Sequence, residues 1–263
     1  MTAQALSESV PGPALARSNR VQLYRVGLVV TVLVAWQAAS GTLLDPFWVS
    51  NPAAVFKTLA TWTASGQLEH HLLVTFEETL LGFLLGATAG VVFALLVGAS
   101  DTLHRTVDPF VTAVYGVPKV TLAPLFIMWF GIGLAPKIVL AAISVFFLVF
   151  FSTLRGVREV DQKMVEALRT MGANKFAIQR MLIFPAALPW LFTGLKLGLP
   201  YGFVGAVAAE MMASNEGIGY LTQNSAGQLD TAGVFAALFA LMVVTTLLNE
   251  ALGRLEHWIF RWR

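Results

Sequence analysis

The side chains of this protein that could carry chemistry are few and scattered. There is no cysteine among its 263 residues, which removes disulfides, thiolate metal sites and cysteine nucleophiles. The four histidines, His70, His71, His104 and His257, never take an HxxxH or HExxH spacing, and adjacent imidazoles such as His70 and His71 point to different faces of a helix. Neither a GxxxxGK[ST] phosphate loop nor a GxSxG nucleophile elbow occurs, so the chain offers no catalytic residue, no metal site and no P-loop route to ATP hydrolysis. What remains is Lys119, Lys196 and Glu210, isolated in apolar surroundings, and one charged stretch, "EALRTMGANKFAIQRMLIFPAALP", from Glu166 to Pro189.

The elements that must position these residues follow from composition. The sequence is 57% hydrophobic and 12% charged, against about 45–50% and about 25% for an ordinary globular domain. The net charge of +2 gives no reason to expect a nucleic-acid partner; the partner this composition demands is a lipid bilayer. A helix crossing ~30 Å of hydrocarbon needs ~20 apolar residues, because backbone polar groups cannot be left unpaired in lipid. Six runs meet that need, over about 24–44, 74–100, 109–131, 137–155, 187–212 and 231–252, with Lys119 interrupting the third and Lys196 the fifth. The fold class expected is an all-α polytopic membrane protein. It forms one transmembrane domain over 21–263, preceded by a disordered 1–20 rich in Pro, Ser and Ala.

Lys and Arg placement orients the spans. With the N-terminus in the cytoplasm, thirteen of the 17 fall inside, only Lys57 and Lys137 fall outside, and Lys119 and Lys196 lie in or at the edge of a span. Positively charged loops stay on the cytoplasmic side, so both termini and the 156–185 segment are read as cytoplasmic. A cleaved signal ending near "WQAAS" is the competing reading of the first span, but its apolar core exceeds the ~7–15 residues such signals use.

Local signals add detail. Asn51 and Pro52 open, and Gly66 closes, a short helix with Val55, Phe56, Leu59 and Trp62 on one face, suited to the outer interface. Leu252, Leu255, Ile259 and Trp262 oppose the C-terminal arginines, suiting that end to the inner surface. Gly82, Gly86, Gly90 and Gly194, Gly198, Gly202 recur at fourfold spacing. This lets helices approach closely, within the chain more readily than at a dimer seam. Pro200 predicts a kink. An intramembrane charge usually faces a bundle interior or water; Lys196 is placed to snorkel inward, Glu210 either snorkels outward or faces the interior, and Lys119, beside Pro118, sits inside its helix with a place next to a transport path.

The charged stretch is an amphipathic helix carrying Val160, Met164, Leu168 and Met171 on one face, a turn at Gly172, and a second helix from Asn174 leading to Pro185. A rigid pair of this kind, presented to the cytoplasm, is suited to receiving mechanical force.

"EALRTMGANKFAIQRMLIFP" resembles the EAA loop of permease subunits of binding-protein-dependent ABC importers: Glu166, Ala167, Gly172 and Pro185 match directly, Leu168 replaces the second Ala, and Leu182 and Phe184 stand for Ile and Leu. "PKVTLAPLFIMWFGIG", "FFSTLRGVREVD", "PAALPWLFTGLKLGL" and "AEMMASNEGIGYL" are similar to the branch importing nitrate, alkanesulfonates, taurine and related small compounds. The resemblance implies a type I ABC importer permease fold in the cell inner membrane. It implies a second permease copy forming a homodimer, an ATPase dimer that binds ATP and Mg while this chain holds no cofactor, and an extracytoplasmic solute-binding protein. It further implies ATPase coupling through Val165, Glu166, Ala167, Leu168, Arg169, Gly172 and Ala173, and a path lined by Pro118, Lys119, Met128, Trp129, Tyr201 and Glu210. The binding protein would dock at Asn215, Glu216, Gly217 and Tyr220. Lys119 would favour an anionic cargo if it faced the path. The competing class is an ion-coupled carrier or channel working without an ATPase, for which Glu210 is the strong coupling candidate; a non-transporting scaffold is a third reading.

The topology yields a direct test: in the cysteine-free background, cysteines introduced at Ser65 and Asn215 label from outside intact cells with an impermeant maleimide and one at Asn174 does not. Labelling at Asn174 removes the six-span topology.

Overall fold

The computed structural model describes residues 14–260, with side chains from Val21 onward. Helices follow one another along the chain: α1 (Ala14–Ala39), α2 (Pro46–Val49), α3 (Pro52–Ala64), α4 (Gln67–Gly98), α5 (Asp101–Tyr115), a 3₁₀ turn (Lys119–Leu122), α6 (Ala123–Phe130), α7 (Leu134–Arg158), α8 (Gln162–Thr170), α9 (Lys175–Ile178), a π-helical turn (Gln179–Ile183), α10 (Phe184–Ala213), α11 (Ile218–Gly227) and α12 (Thr231–Ile259). No β-sheet forms among the described residues; an isolated bridge joins Ser40 and Leu44.

The core is α7 wedged between α4 and α10. Gly82, Gly86 and Gly90 of α4 lie directly on the α7 backbone, and a methyl group at Gly90 would come within 2.8 Å of the Phe146 carbonyl oxygen. On the other side Gly194 and Gly205 of α10 do the same, a methyl at Gly194 falling 3.0 Å from Val149 Cα and one at Gly205 2.8 Å from Ala141 Cα, while Gly198 and Gly202 rest on the Val145 side chain. Both glycine series therefore serve packing within the chain, and Phe83, Val145, Val149, Leu199 and Phe203 fill the space the backbones leave. In lipid, where apolar surface gains little from meeting other apolar surface, such close approach supplies the dispersion contacts that hold helices together.

The peripheral elements lean on this core. Asn51 caps α3 by accepting the Ala54 N–H at 2.8 Å, Pro52 opens the helix, and Gly66, with φ +73°, separates it from α4. From α1, Trp36 Nε1 donates to the Val49 carbonyl at 3.1 Å and Gln37 accepts the Ala53 N–H at 3.2 Å. Most of the remaining α1 side chains from Val21 onward are exposed on this chain, which suits contact with lipid.

Several expectations need correction. Residues 109–131 do not form one helix: α5 ends at Tyr115 and the chain turns by 82° before α6. Five helices are long and apolar enough to cross a membrane among the described residues, six if this bent pair counts as one span. α10 runs from Phe184 to Ala213 and contains both Pro189 and Pro200. The C-terminal piece is no separate helix but the end of α12. Ala14–Arg20 open α1 instead of being disordered; the disorder expected for 1–13 and the C-terminal placement of Trp262 lie outside the described residues.

The wedge makes a stability prediction. Gly86→Val drives a side chain into the Ala142 carbonyl and should cost ~1–3 kcal/mol through overpacking, read as a lower melting temperature in detergent. Gly27→Val, with open space around it, should leave that temperature unchanged, and equal behaviour of the two variants refutes the wedge.

Candidate functional site

The segment between α7 and α10 forms a rigid corner. Asp161 caps α8 by accepting the Lys163 N–H at 2.9 Å. At the other end Gly172 takes φ +86°, a left-handed conformation that costs a residue with Cβ about 1–2 kcal/mol. Its N–H donates to the Arg169 carbonyl at 3.0 Å and the Ala173 N–H to the Leu168 carbonyl at 2.9 Å, the paired bonds of a Schellman motif. Asn174 then caps α9, accepting the Ala177 N–H at 2.8 Å, and the π-helical turn carries the chain into α10. No flexible linker separates this corner from the core helix.

Val160, Val165 and Ile178 are buried inside the corner, with Leu168, Ala173, Leu182 and Ile183 packed on them. The buried stripe of α8 is therefore Val165 and Leu168. Met164 and Met171, expected on that stripe, point away from it, and Met171 is 82% exposed. The reason is local: Val160 precedes the cap residue Asp161 and lies outside the helix, so the periodic pattern counted from it is out of phase. Glu166, Ala167, Arg169 and Gly172 are exposed as well, and Phe176 adds a further exposed apolar group on α9.

The opposite pole of the core is polar and closed. The N–H groups of Gly217, which ends the loop after α10, and of Ile218 and Gly219, in the first turn of α11, donate, respectively, to His71 Nδ1 at 3.0 Å, Thr75 Oγ1 at 2.8 Å and Glu210 Oε2 at 2.6 Å. The Thr75 hydroxyl donates to Glu210 Oε1 at 2.7 Å. Gly217 has φ +103°, and a Cβ there would strike the Glu210 carboxylate. Tyr220 rests on the His71 ring with centroids 5.6 Å apart, while Asn215 and Glu216 are exposed. Next to them Lys137 Nζ donates to Glu78 Oε1 at 2.6 Å, with both side chains in the interior.

Glu210 does not snorkel but faces the interior, 1% exposed and held by Thr75 and the Gly219 N–H. Lys137, counted with the outer side, is 7% exposed and paired. His71 is a buried acceptor. Glu78 lies inside the 74–100 run expected to cross the membrane and was not singled out as an intramembrane charge. Two adjacent acids inside a helix with 11 buried positions were the available signal.

The third group of expected site residues lies along the break between α5 and α6. Lys119 stands in the 3₁₀ turn, not inside a helix. Its ammonium donates to the Tyr115 carbonyl and, at 2.9 Å, to the Val117 carbonyl, and it sits 4.6 and 4.7 Å from the ring centres of Tyr115 and Phe147. Carbonyls freed by the missing helical bonds around Pro118 are thus satisfied by a cation, as the absence of water in lipid requires. Met128 and Trp129 on α6 and Tyr201 on α10 are exposed on this chain. Lys196 reaches Glu256 at the inner end of α12 as an ion pair. No cluster of His, Asp and Glu suited to a metal occurs among the described residues.

Residues 82–261 match the family model described as the binding-protein-dependent transport system inner membrane component. The chain belongs to that family. The permease is 32% identical over 237 residues to the putative aliphatic sulfonates transport permease protein SsuC of Bacillus subtilis, covering 90% of this chain and 86% of the relative. It is 30% identical over 250 residues to the taurine transport system permease protein TauC of Escherichia coli, covering 93% and 91%. It is also 32% identical over 263 residues to the riboflavin transport system permease protein RibX of Chloroflexus aurantiacus, covering 98% of both. Its fold matches the MetNI methionine ABC transporter in an inward-facing conformation, with a TM-score of 0.59 at 22% identity over 74% of this chain and 95% of that one.

Lys119 yields this site's prediction. Lys119→Met leaves the carbonyls of Tyr115 and Val117 without a donor and should destabilise the permease by ~1–3 kcal/mol. Lower complex yield and melting temperature are expected before any change in the uptake of whatever permease remains. Full yield with reduced uptake would instead place Lys119 on the transport path.

Proposed function

We propose that this permease is the translocation subunit of an ATP-driven importer, working with a second copy of itself, an ATPase dimer and an extracytoplasmic solute-binding protein. ATP and Mg belong to the ATPase partner. The single observation that carries this reading is the cytoplasmic corner: a Schellman-closed helix pair, with Glu166, Ala167, Arg169, Met164, Met171 and Phe176 exposed, that continues without a linker into α10. An exposed apolar and charged ridge on a stiff support fits a groove on a partner, and methionines adapt readily to such a surface. Force applied there enters the helix that packs along α7 and carries Glu210.

On the outer side the reading assigns Asn215, Glu216, Gly217 and Tyr220 to the binding-protein face. It is supported by the exposure of the first two and by the fastening of the other two to α4. Both termini are assigned to the cytoplasm on the distribution of Lys and Arg. Met128, Trp129 and Tyr201 are large groups exposed on one chain, and the second copy, facing them across a path, would account for that exposure.

The cargo we assign is a small polar organic compound. The sulfonate and taurine class is supported by the relatives named for it, while Lys119 lends no support because backbone carbonyls hold its ammonium. Similar identity to a riboflavin permease fits an importer whose binding protein does most of the selecting. An ion-coupled carrier would need an open coupling carboxylate, and Glu78 and Glu210 are both enclosed. Proteoliposome uptake that proceeds without ATP and an added ATPase would establish the carrier instead.

The coupling assignment is tested by Glu166→Lys and Gly172→Pro. Reversing the exposed charge, or forcing a φ near −65° where +86° is needed, should leave the permease inserted. Binding-protein-stimulated ATPase activity and uptake should fall by about tenfold or more, the factor for loss of ~1.4 kcal/mol of coupling. Wild-type uptake by both variants removes the corner from the mechanism.

A further inference from the structure

The polar pole of the core contains one buried carboxyl oxygen that none of the protein's permanent donors reaches. Glu78 is fully buried. Its Oε1 accepts from Lys137 at 2.6 Å, while its Oε2 has no partner, although the Glu210 carboxyl lies within hydrogen-bonding reach. Glu210 is already an acceptor at both oxygens, taking the Thr75 hydroxyl on Oε1 and the Gly219 N–H on Oε2. Thr75 in turn accepts the Ile218 N–H at 2.8 Å, and its own proton, with the His71 carbonyl 3.2 Å away and Glu210 Oε1 2.7 Å away, takes the shorter bond to Glu210.

Two ionised carboxylates in contact, one with an orphaned lone pair and with no bulk water at hand, would be strongly unfavourable. A single proton removes both faults, and the donor geometry says where it sits. We propose that Glu78 and Glu210 share one proton resident on Glu78 Oε2, and that this acid, the Glu210 carboxylate and Lys137 form a charge-neutral latch fastening the loop at Gly217–Gly219 to α4 and α7. The positive charge of Lys137 and the negative charge of Glu210 then cancel, with neutral Glu78 bridging them by accepting at one oxygen and donating from the other.

The surrounding ionisable groups take no part in this balance. Glu77 is exposed, Glu216 is exposed 3.7 Å from His70, and His71 uses Nδ1 as an acceptor. Cavities of about 310 and 360 Å³ flank the cluster, Glu210 lining the first and Glu78 and Lys137 the second, with Asn215 bordering both. The proton therefore has a route to the loop surface, and a movement of the loop that separates Glu210 from Glu78 would uncover the acid. The proton assignment stands whatever the loop meets; its part in transport rests on the reading of that loop as the binding-protein face.

The latch differs from a plain Lys137–Glu78 salt bridge in how glutamine substitution behaves. Glu78→Gln reproduces an acceptor toward Lys137 and a donor toward Glu210, so the melting temperature of the purified full-length permease complex should stay at the wild-type value. Glu210→Gln and Lys137→Met should each lower it. A cysteine at Asn215 should react about tenfold or more faster in the Glu210→Gln background than in Glu78→Gln, reflecting the loss of a charge-assisted hydrogen bond. Infrared spectra of the wild-type complex at neutral pH should contain the carbonyl stretch of a buried carboxylic acid, absent from Glu78→Gln. Absence of that band in the wild type, or a Glu78→Gln variant as damaged as Lys137→Met, overturns the proton assignment. Equal Asn215 reactivity in the two backgrounds overturns the latch. None of these readouts involves uptake, so their failure is separate from failure of the importer reading.

Discussion

Close packing of helix backbones governs the design of this protein. Where α7 lies against the glycine faces of α4 and α10, the backbones approach until no solvent fits between them. Dispersion contacts at that separation hold the core together. The same closeness makes an unpaired polar group costly, so most of those caught nearby find a partner in the protein. Lys137 with Glu78, Glu210 with Thr75 and Gly219, and Lys119 with the carbonyls of Tyr115 and Val117 all answer this one requirement.

The two poles of the core then acquire different characters. At the outer pole, donors converge on carboxyl groups and draw a loop down onto α4 through bonds of 2.6–3.0 Å. At the inner pole, an apolar nucleus of Val160, Val165 and Ile178 braces a corner whose outward groups remain free. α10 runs from one pole to the other without interruption and passes both of its internal prolines. Displacement at either end is thereby delivered along one helix to the other.

Sequence reading reached the features set by short-range chemistry. The cap at Asn51, the helix start at Asn174, the left-handed Gly172 and the fourfold glycine spacing all have local causes, and the apolar runs are long enough to declare themselves. Family resemblance singled out the segment from Glu166 to Pro185, which folds as one rigid corner. What stayed hidden depends on distant contacts. Lys137 looks like a loop cation until α4 brings Glu78 to it across 59 residues, and Glu210 looks like a snorkelling acid until Thr75 arrives from 135 residues away. The break at Pro118 was half-visible: a proline and a glycine near a lysine signal weakness in a helix, but an 82° turn is decided by what α7 offers as a surface to pack on. Met164 and Met171 were misplaced because a helix cannot be phased from a residue that lies before its cap.

The π-helical turn at Gln179–Ile183 bears on direction as well as on rigidity. Such a turn holds one residue more than the α-helical turn it replaces, and each residue of an α-helix advances the azimuth by about 100°. The bearing of the whole cytoplasmic corner, measured around the axis of α10, is therefore indexed by a single inserted residue. Removing that residue would keep every contact surface intact and aim it at a different quarter of the compass.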